Sequence, residues 1–262
     1  MVNLYEKAKI IRRQILELSY EKQMGHLGGT FSCIELLISL YYGGIFNFHL
    51  GTRDKNRDRF ILSKGHACLA LYSILFDQGV ISDNDLFSYC SDGGLGAQLD
   101  TSVPGIDWNT GSLGHSIGIC CGFALAARMD GSQRRSCTLI GDAECSEGSI
   151  WESLVYAGEN HLNIIVIVDR NRLSVTEVLD NDSFFRKELF HNFGWDFYDI
   201  NGHEFDQILP TLKMCATNKP SIIIANTIKG KGISFMENKI EWHHGNITEE
   251  QYKLAMSELQ IT

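Results

Sequence analysis

Two oxygen-bearing side chains stand where two predicted strands end, and together they suit a metal-bound phosphate. Asp142 lies in Gly141-Asp142-Ala143, directly after the apolar run 136–140, and Asn171 follows the next apolar run, 163–169. Because a strand–helix–strand unit brings both strand ends to the same edge of a sheet, the two side chains are expected to lie together. Their oxygens suit a hard cation such as Mg²⁺. Taken singly, Asp142 is better explained as a helix cap and Asn171 as a turn residue.

Two histidines form the second candidate group, because each lies beside glycine at a junction between predicted elements. His26 follows Gly25 after the first predicted helix, and His66 follows Gly65 at the end of a predicted strand. Imidazole can donate or accept a proton near neutral pH, so loop histidines in such positions suit a catalytic site. For His26 alone, a structural histidine bonded to a helix-terminal carbonyl remains the alternative.

Strands and helices alternate along the chain, which predicts an α/β fold with an open, largely parallel sheet and helices on both faces. The predicted strands are 57–62, 136–140, 163–169, 195–200 and 221–226. The predicted helices are 1–24, 31–41, 68–76, 112–128, 149–157, 183–192, 204–216 and 248–259. Glycines after residue 24 are expected to stop the first helix, with Thr30 or Ser32 capping the next. The nearly uncharged segment 112–127 is expected to be a buried helix, and residues 1–262 to form one domain.

Charge and cysteine content exclude several classes of function. The net charge is −9 and the basic residues are scattered, which argues against nucleic acid or an anionic membrane as a partner. The eight cysteines form no C-x-x-C pair and stand mostly in apolar runs, so they are expected to be buried packing residues. Free thiols and the lack of a secretory pattern favour a reducing, cytoplasmic location.

Five ordered motifs make the chain resemble the transketolase family over nearly its whole length. They are Gly25-His26-Leu27-Gly28-Gly29, the segment 58–67 with Ser63-Lys64-Gly65-His66, the segment 110–114 reading Thr-Gly-Ser-Leu-Gly, the segment 141–148 and Asn171. The resemblance implies the thiamine diphosphate-binding fold, with thiamine diphosphate and Mg²⁺ (or Ca²⁺) as cofactors. It also implies transfer of a two-carbon ketol unit from a ketose, commonly a ketose phosphate, to an aldehyde acceptor.

The resemblance assigns a role to each matching residue. Metal ligands are expected to be Asp142, Asn171 and the carbonyl of Leu173. The cofactor is expected to contact His66, Gly111, Ser112, Leu113, Gly141, Asp142, Ala143, Glu147, Asn171 and His243. Catalytic histidines are expected to be His26, His66 and His243, the last because it directly follows Trp242, with His244 as the alternative.

A family member of ordinary length is more than twice as long as this chain, so the resemblance implies the N-terminal subunit of a split transketolase. The missing half carries the acid that activates the cofactor, and little activity is therefore expected from this polypeptide alone. A complementary C-terminal subunit is the implied partner, in an α₂β₂ assembly with the cofactor at each α–β interface.

Three positions depart from the family pattern and predict an altered donor or acceptor. Ala143 replaces a glycine, His115-Ser116 replaces Gln-Gly, and Ala97 stands where a histidine is expected to touch the donor. A lost hydrogen-bond partner can change substrate discrimination strongly. Two other interpretations remain open, a 2-oxoacid dehydrogenase of the α-chain type and a non-catalytic regulatory paralogue.

Overall fold

A computed structural model describes residues 3–50, 52, 54–215 and 219–260 of the chain. In this part of the chain five parallel strands form a sheet in the order β1-β2-β3-β5-β4. The strands are β1 (Arg59–Leu62), β2 (Ser136–Gly141), β3 (Ile164–Arg170), β4 (Asp196–Asn201) and β5 (Ser221–Asn226). In register, Gly141 pairs with Asp169 and Asp169 with Ala225, so these three strands end at one edge. The predicted α/β fold with a parallel sheet is confirmed.

Helices cover both faces of this sheet. They are α1 (Leu4–Lys22), α2 (Leu27–Ser32), α3 (Ile34–Tyr42), α4 (Cys68–Asp77), α5 (Asp83–Phe87), α6 (Ser116–Met129), α7 (Gly148–Glu159), α8 (Lys187–Asn192), α9 (Phe205–Met214) and α10 (Glu249–Glu258). Strand side chains alternate between the faces: Ile165 and Ile167 of β3 pack with α1–α5, α9 and α10, while Ile164, Val166 and Val168 pack with α6, α7 and α8.

Gly28 and Gly29 do not stop a helix, which corrects the expectation for these two glycines. Gly28 and Gly29 lie inside α2, and a Cβ on Gly28 would be 2.6 Å from the carbonyl oxygen of Trp242. Neither predicted cap is used, because Thr30 donates to the carbonyl of His26 and Ser32 donates to Asp169. These glycines therefore permit close packing of the 240–243 turn against α2.

Three other predicted helices differ from the structure, and one of them, 31–41, is divided at Cys33 between α2 and α3. The helix predicted from residue 112 begins at Ser116, after Gly111 and Gly114 adopt φ of +119° and +85°. It is buried on one face only, and Met129 is 87% exposed. The predicted helix 183–192 is divided at Arg186, whose extended backbone separates a 3₁₀ turn from α8. Met1 and Ala216 lie outside the described residues. Met24 lies beyond the end of α1.

The cysteine prediction is confirmed for seven of the eight residues, which are free and buried. Cys90 is the exception and is exposed. Within the described ranges, every helix is too short or too polar to cross a membrane.

Gly158 of α7 offers a test of the packing between α7 and the 193–195 turn. Its Cα faces the carbonyl of Phe193 so closely that an added Cβ would overlap the oxygen. We expect Gly158→Ala to destabilise the chain by about 1–3 kcal/mol through overpacking, despite the better helix propensity of alanine. Gly122→Ala is the control, because a Cβ there meets nothing within 4 Å, and it should be neutral or stabilising. Equal urea-unfolding midpoints for the two variants would contradict this prediction.

Candidate active site

Loops at the carboxyl ends of β1, β2, β3 and β5 surround a cavity of about 130 Å³. An open α/β sheet binds its ligands at this edge, outside the carboxyl ends of the strands. The β1 loop contributes Lys64 and His66, the β2 loop Asp142, the β3 loop Asn171, and the β5 loop Lys229. The two side chains predicted to meet at the sheet edge are thus brought together.

Asp142 is held rigidly at the cavity wall and is only 1% exposed. Its Oδ1 accepts a hydrogen bond from the backbone N–H of Ala143 (2.9 Å), and its Oδ2 accepts one from that of Arg172 (2.6 Å). Burial, and secondly the neighbouring carboxylate of Asp169, raise the pKa of Asp142 to about 6. Asp142 therefore caps the following 3₁₀ turn. Its carboxylate also carries a buried negative charge that a nearby cation would stabilise.

The β3 loop supplies further oxygen atoms beside Asp142. Asn171 Oδ1 accepts from the backbone N–H of Leu173 at 3.1 Å, forming a tight turn, and both residues line the cavity. A carboxylate, a side-chain amide and a main-chain carbonyl form the all-oxygen donor set that Mg²⁺ or Ca²⁺ prefers. The residues present therefore fit a hard divalent cation, with the oxygens of a bound phosphate completing its shell.

A buried ion pair, missed by the sequence analysis, lies next to Asp142. Lys64 and Asp169 are 2% and 0% exposed and are in direct contact. Lys64 Nζ also donates to the carbonyl of Gly29 (2.7 Å), while Asp169 accepts from Ser32 (2.5 Å) and Thr227. Although burial alone would lower it, Asp169 raises the pKa of Lys64 above its ordinary value. The pair joins α2 to β3 and to the loops after β1 and β5.

Glu144, also missed, joins three further backbone segments of the cavity. Its carboxylate accepts from the hydroxyl of Ser63, from Gly114 N at 2.8 Å and from Gly141 N at 3.2 Å. It is 3% exposed, and burial raises its pKa. Glu144 thereby fixes the 110–114 loop against the β2 turn.

Three histidine rings form a nearly equilateral triangle at the cavity. Ring centroids are 5.3 Å apart for His26 and His66, 5.5 Å for His26 and His243, and 5.3 Å for His66 and His243. Burial, and secondly Lys64, lower the pKa of His66 to about 2. Burial likewise lowers the pKa values of His26 and His243 to about 4. All three rings are therefore neutral at pH 7 and can accept or donate a hydrogen bond.

The two adjacent histidines of the 240–245 segment take different positions. His243 lines the cavity, and its Nδ1 lies 3.2 Å from Lys229 Nζ. His244 is exposed and packs edge-on against His26 at 4.6 Å. Lys229, a fourth missed residue, is 1% exposed and donates to the carbonyl of Ser174 at 2.7 Å. Burial, and secondly Lys64, lower its pKa to about 8.

The remaining predicted residues are distributed around this cavity. Leu113, Gly141 and Ala143 line it. Ser112 instead lines a neighbouring groove of about 450 Å³, and Glu147 is exposed, with its Cβ packed beneath Gly114. Gly111 lies against the side chain of Gln98 rather than on the cavity wall.

The loop containing Ala97 lies beside the His66 turn. The carbonyl of Gln98 accepts a hydrogen bond from the Tyr72 hydroxyl at 2.9 Å. The side chain of Gln98 fills the space next to Gly65. The departure at Ala97 therefore falls near the histidine triangle.

Lowering the pH from about 7 to about 4 is expected to destabilise the folded chain, and less so in a His66→Gln variant. An unfolded histidine takes up its proton near pH 6.5, whereas buried His66 has a pKa of about 2. The unfolded state therefore binds more protons in this interval, so stability present above pH 6.5 is lost as the pH falls. Urea midpoints across the interval measure the effect, and an equally steep decline in both proteins would contradict it.

Comparison with known proteins identifies the family. The family model described as transketolase, thiamine diphosphate binding domain, matches residues 5–261. The chain therefore belongs to the transketolase family and forms its thiamine diphosphate-binding domain.

The relatives differ in how much of their length this chain covers. It is 37% identical to an apulose-4-phosphate transketolase subunit of Phocaeicola vulgatus, over 95% of this chain and 90% of the relative. It is 35% identical to a 6-deoxy-6-sulfo-D-fructose transketolase subunit of Clostridium sp., over 99% and 97%. The solved transketolase of Campylobacter jejuni matches with a TM-score of 0.86 and 28% identity, over 99% of this chain but 43% of that one. The chain thus matches nearly the whole length of two relatives named as subunits and less than half of the Campylobacter jejuni transketolase chain.

Proposed function

We propose that this chain is the N-terminal subunit of a two-component transketolase that transfers a two-carbon ketol unit from a ketose to an aldehyde acceptor. The observation that carries the proposal is the convergence of Asp142, Asn171, Lys229 and the histidine triangle at one sheet edge. Family membership and near-complete coverage of relatives named as subunits support the same assignment.

In this proposal Asp142, Asn171 and the Leu173 carbonyl would hold Mg²⁺ or Ca²⁺, which would supply positive charge to offset that of the diphosphate. Lys229 would also offset the negative charge of the diphosphate, because its buried ammonium group attracts the anionic phosphates. Gly141 and Ala143 bring backbone close to the phosphates, and Leu113 offers apolar contact to the cofactor. Thiamine diphosphate, when bound, supplies the carbon nucleophile that attacks the donor carbonyl.

In this proposal the three histidines of the triangle form hydrogen bonds with oxygen atoms of the substrate. His26, His66 and His243 are neutral, and their ring centroids lie 5.3–5.5 Å apart. They can therefore form hydrogen bonds with the hydroxyl and carbonyl groups at the reacting carbons. Each neutral ring can accept a hydrogen bond from one oxygen and donate a hydrogen bond to another without a buried charge. The clustering of three such rings favours ketol transfer, in which protons move on and off adjacent oxygens.

A complementary subunit completes the site in this proposal. Typical ligand pockets measure about 300–1,000 Å³, whereas the cavity here is about 130 Å³, so this chain encloses only part of a cofactor-sized molecule. The relatives' names, which describe them as subunits, support a partner, and an α₂β₂ assembly in the cytoplasm is the form we propose. The loop with Ala97 further suggests a specialised sugar or sugar-phosphate donor.

Co-purification with the complementary subunit followed by isothermal titration tests the proposal. Thiamine diphosphate should bind the complex in the presence of Mg²⁺, and far more weakly once the metal is chelated. Ketol transfer should require both subunits. Absence of cofactor binding would instead support a non-catalytic paralogue, and release of CO₂ from a 2-oxoacid would support the dehydrogenase alternative.

A further inference from the structure

We propose that His244 is a substrate-contacting specificity residue, which binds oxygen groups of the sugar beyond the carbons held by the histidine triangle. This inference rests on the proposed transketolase function. It concerns a different residue from His243, which lines the cavity itself.

The backbone holds His244 in a defined place. The preceding Trp242 is 9% exposed, and its carbonyl packs so closely on α2 that only glycine fits at residue 28. After His244, the backbone N–H of Gly245 donates to the carbonyl of Gly25 at 3.4 Å. The ring is therefore carried on a segment fixed at both ends, although the side chain itself is exposed.

His244 adjoins the triangle at His26. Its ring centroid is 4.6 Å from that of His26, while His66 and His243 lie 5.3–5.5 Å from His26 within the triangle. Exposure increases from His66 and His243, which are partly buried and line the cavity, to His244, which is exposed. A sugar that has its reacting carbons at the triangle and extends toward solvent passes this ring.

The ring nitrogens of His244 are available to a ligand. Among residues 3–50, 52, 54–215 and 219–260, the ring packs on His26 and makes no hydrogen bond or ion pair. An exposed imidazole can donate to or accept from hydroxyl oxygens and can donate to a phosphate. The substrate class this position fits is a ketose that carries hydroxyl or phosphate oxygens beyond its fourth carbon.

Two substitutions separate ligand binding from mere packing. His244→Gln keeps a hydrogen-bonding group without the aromatic ring, and His244→Phe keeps the ring on His26 without the nitrogens. His191→Gln is the control, because His191 is exposed on α8, which packs on the opposite face of the sheet. All are studied as the full chain assembled with its complementary subunit.

Steady-state kinetics with donors of increasing length provide the test: L-erythrulose, D-fructose and D-fructose 6-phosphate. We expect His244→Phe to raise KM for the six-carbon donors about tenfold, with kcat and the KM for L-erythrulose within about twofold of wild type. His244→Gln should retain most of the affinity. A rise with both six-carbon donors indicates a hydroxyl contact, and one confined to the phosphorylated donor indicates a phosphate contact.

Three outcomes would overturn the inference. They are unchanged KM values in both variants, an equal change with short and long donors, or an impaired glutamine variant beside a normal phenylalanine variant, which indicates packing on His26. A wild-type complex that transfers ketol units from none of these donors and binds no thiamine diphosphate would instead count against the proposed function.

Discussion

Replacing Asp142 by asparagine is expected to weaken the binding of thiamine diphosphate with Mg²⁺ by about 10- to 100-fold. The substitution removes the carboxylate charge nearest the oxygens of Asn171 and Leu173, while one side-chain oxygen still accepts a backbone N–H. Stability of the cofactor-free chain should fall little or even rise. The reason is that burial and the Asp169 carboxylate already disfavour the charge of Asp142, raising its pKa to about 6.

The contrast between a large loss of cofactor affinity and a small change in stability makes the prediction specific. Isothermal titration of the assembled enzyme gives the affinity, and urea unfolding of the cofactor-free chain gives the stability. Asp180→Asn is the matched control, because Asp180 is an exposed carboxylate in the loop after β3. An Asp142→Asn variant with normal cofactor affinity, or one that loses affinity only because it unfolds, would refute a metal-binding role.

The sequence could predict where Asp142 and Asn171 meet because strand ends in a parallel sheet share an edge. That inference depends only on the order of elements and on the run of apolar residues before each side chain. The family resemblance adds His26, His66 and His243, which the structure brings together around one cavity.

Other parts of the site have no local signature in the sequence. Lys64 and Asp169 each follow an apolar run, and a charged residue in that position looks the same whether it faces solvent or a buried partner 105 positions away. Gly28 resembles a helix stop in the sequence because its actual role, close contact with the Trp242 carbonyl, depends on a distant segment. Such contacts are tertiary, so propensity and periodicity cannot reveal them.

Replacing Lys64 by methionine is expected to destabilise the chain by about 3–5 kcal/mol, the usual cost of removing one partner of a buried ion pair. The loss leaves Asp169 charged and buried beside Asp142, with only the hydroxyl groups of Ser32 and Thr227 to solvate it. Methionine nearly matches the shape of lysine, so the effect reports charge rather than volume. Lys7→Met is the control, because Lys7 pairs with Asp77 on a partly exposed surface and should cost about 1 kcal/mol or less.

The double variant Lys64→Met with Asp169→Asn decides whether the unpaired charge causes the loss. Because it leaves no uncompensated carboxylate at residue 169, it should be more stable than Lys64→Met alone, and the two substitutions should be strongly non-additive. Urea midpoints of the wild type, both single variants and the double variant complete the cycle. A double variant as unstable as the sum of its parts would mean that Lys64 contributes through its contact with Gly29 instead. If the charge pair is the cause, Lys64 neutralises Asp169 and so allows two carboxylates to lie at neighbouring strand ends. In the proposed site, only the charge of the second carboxylate, Asp142, is then left for a divalent cation to neutralise.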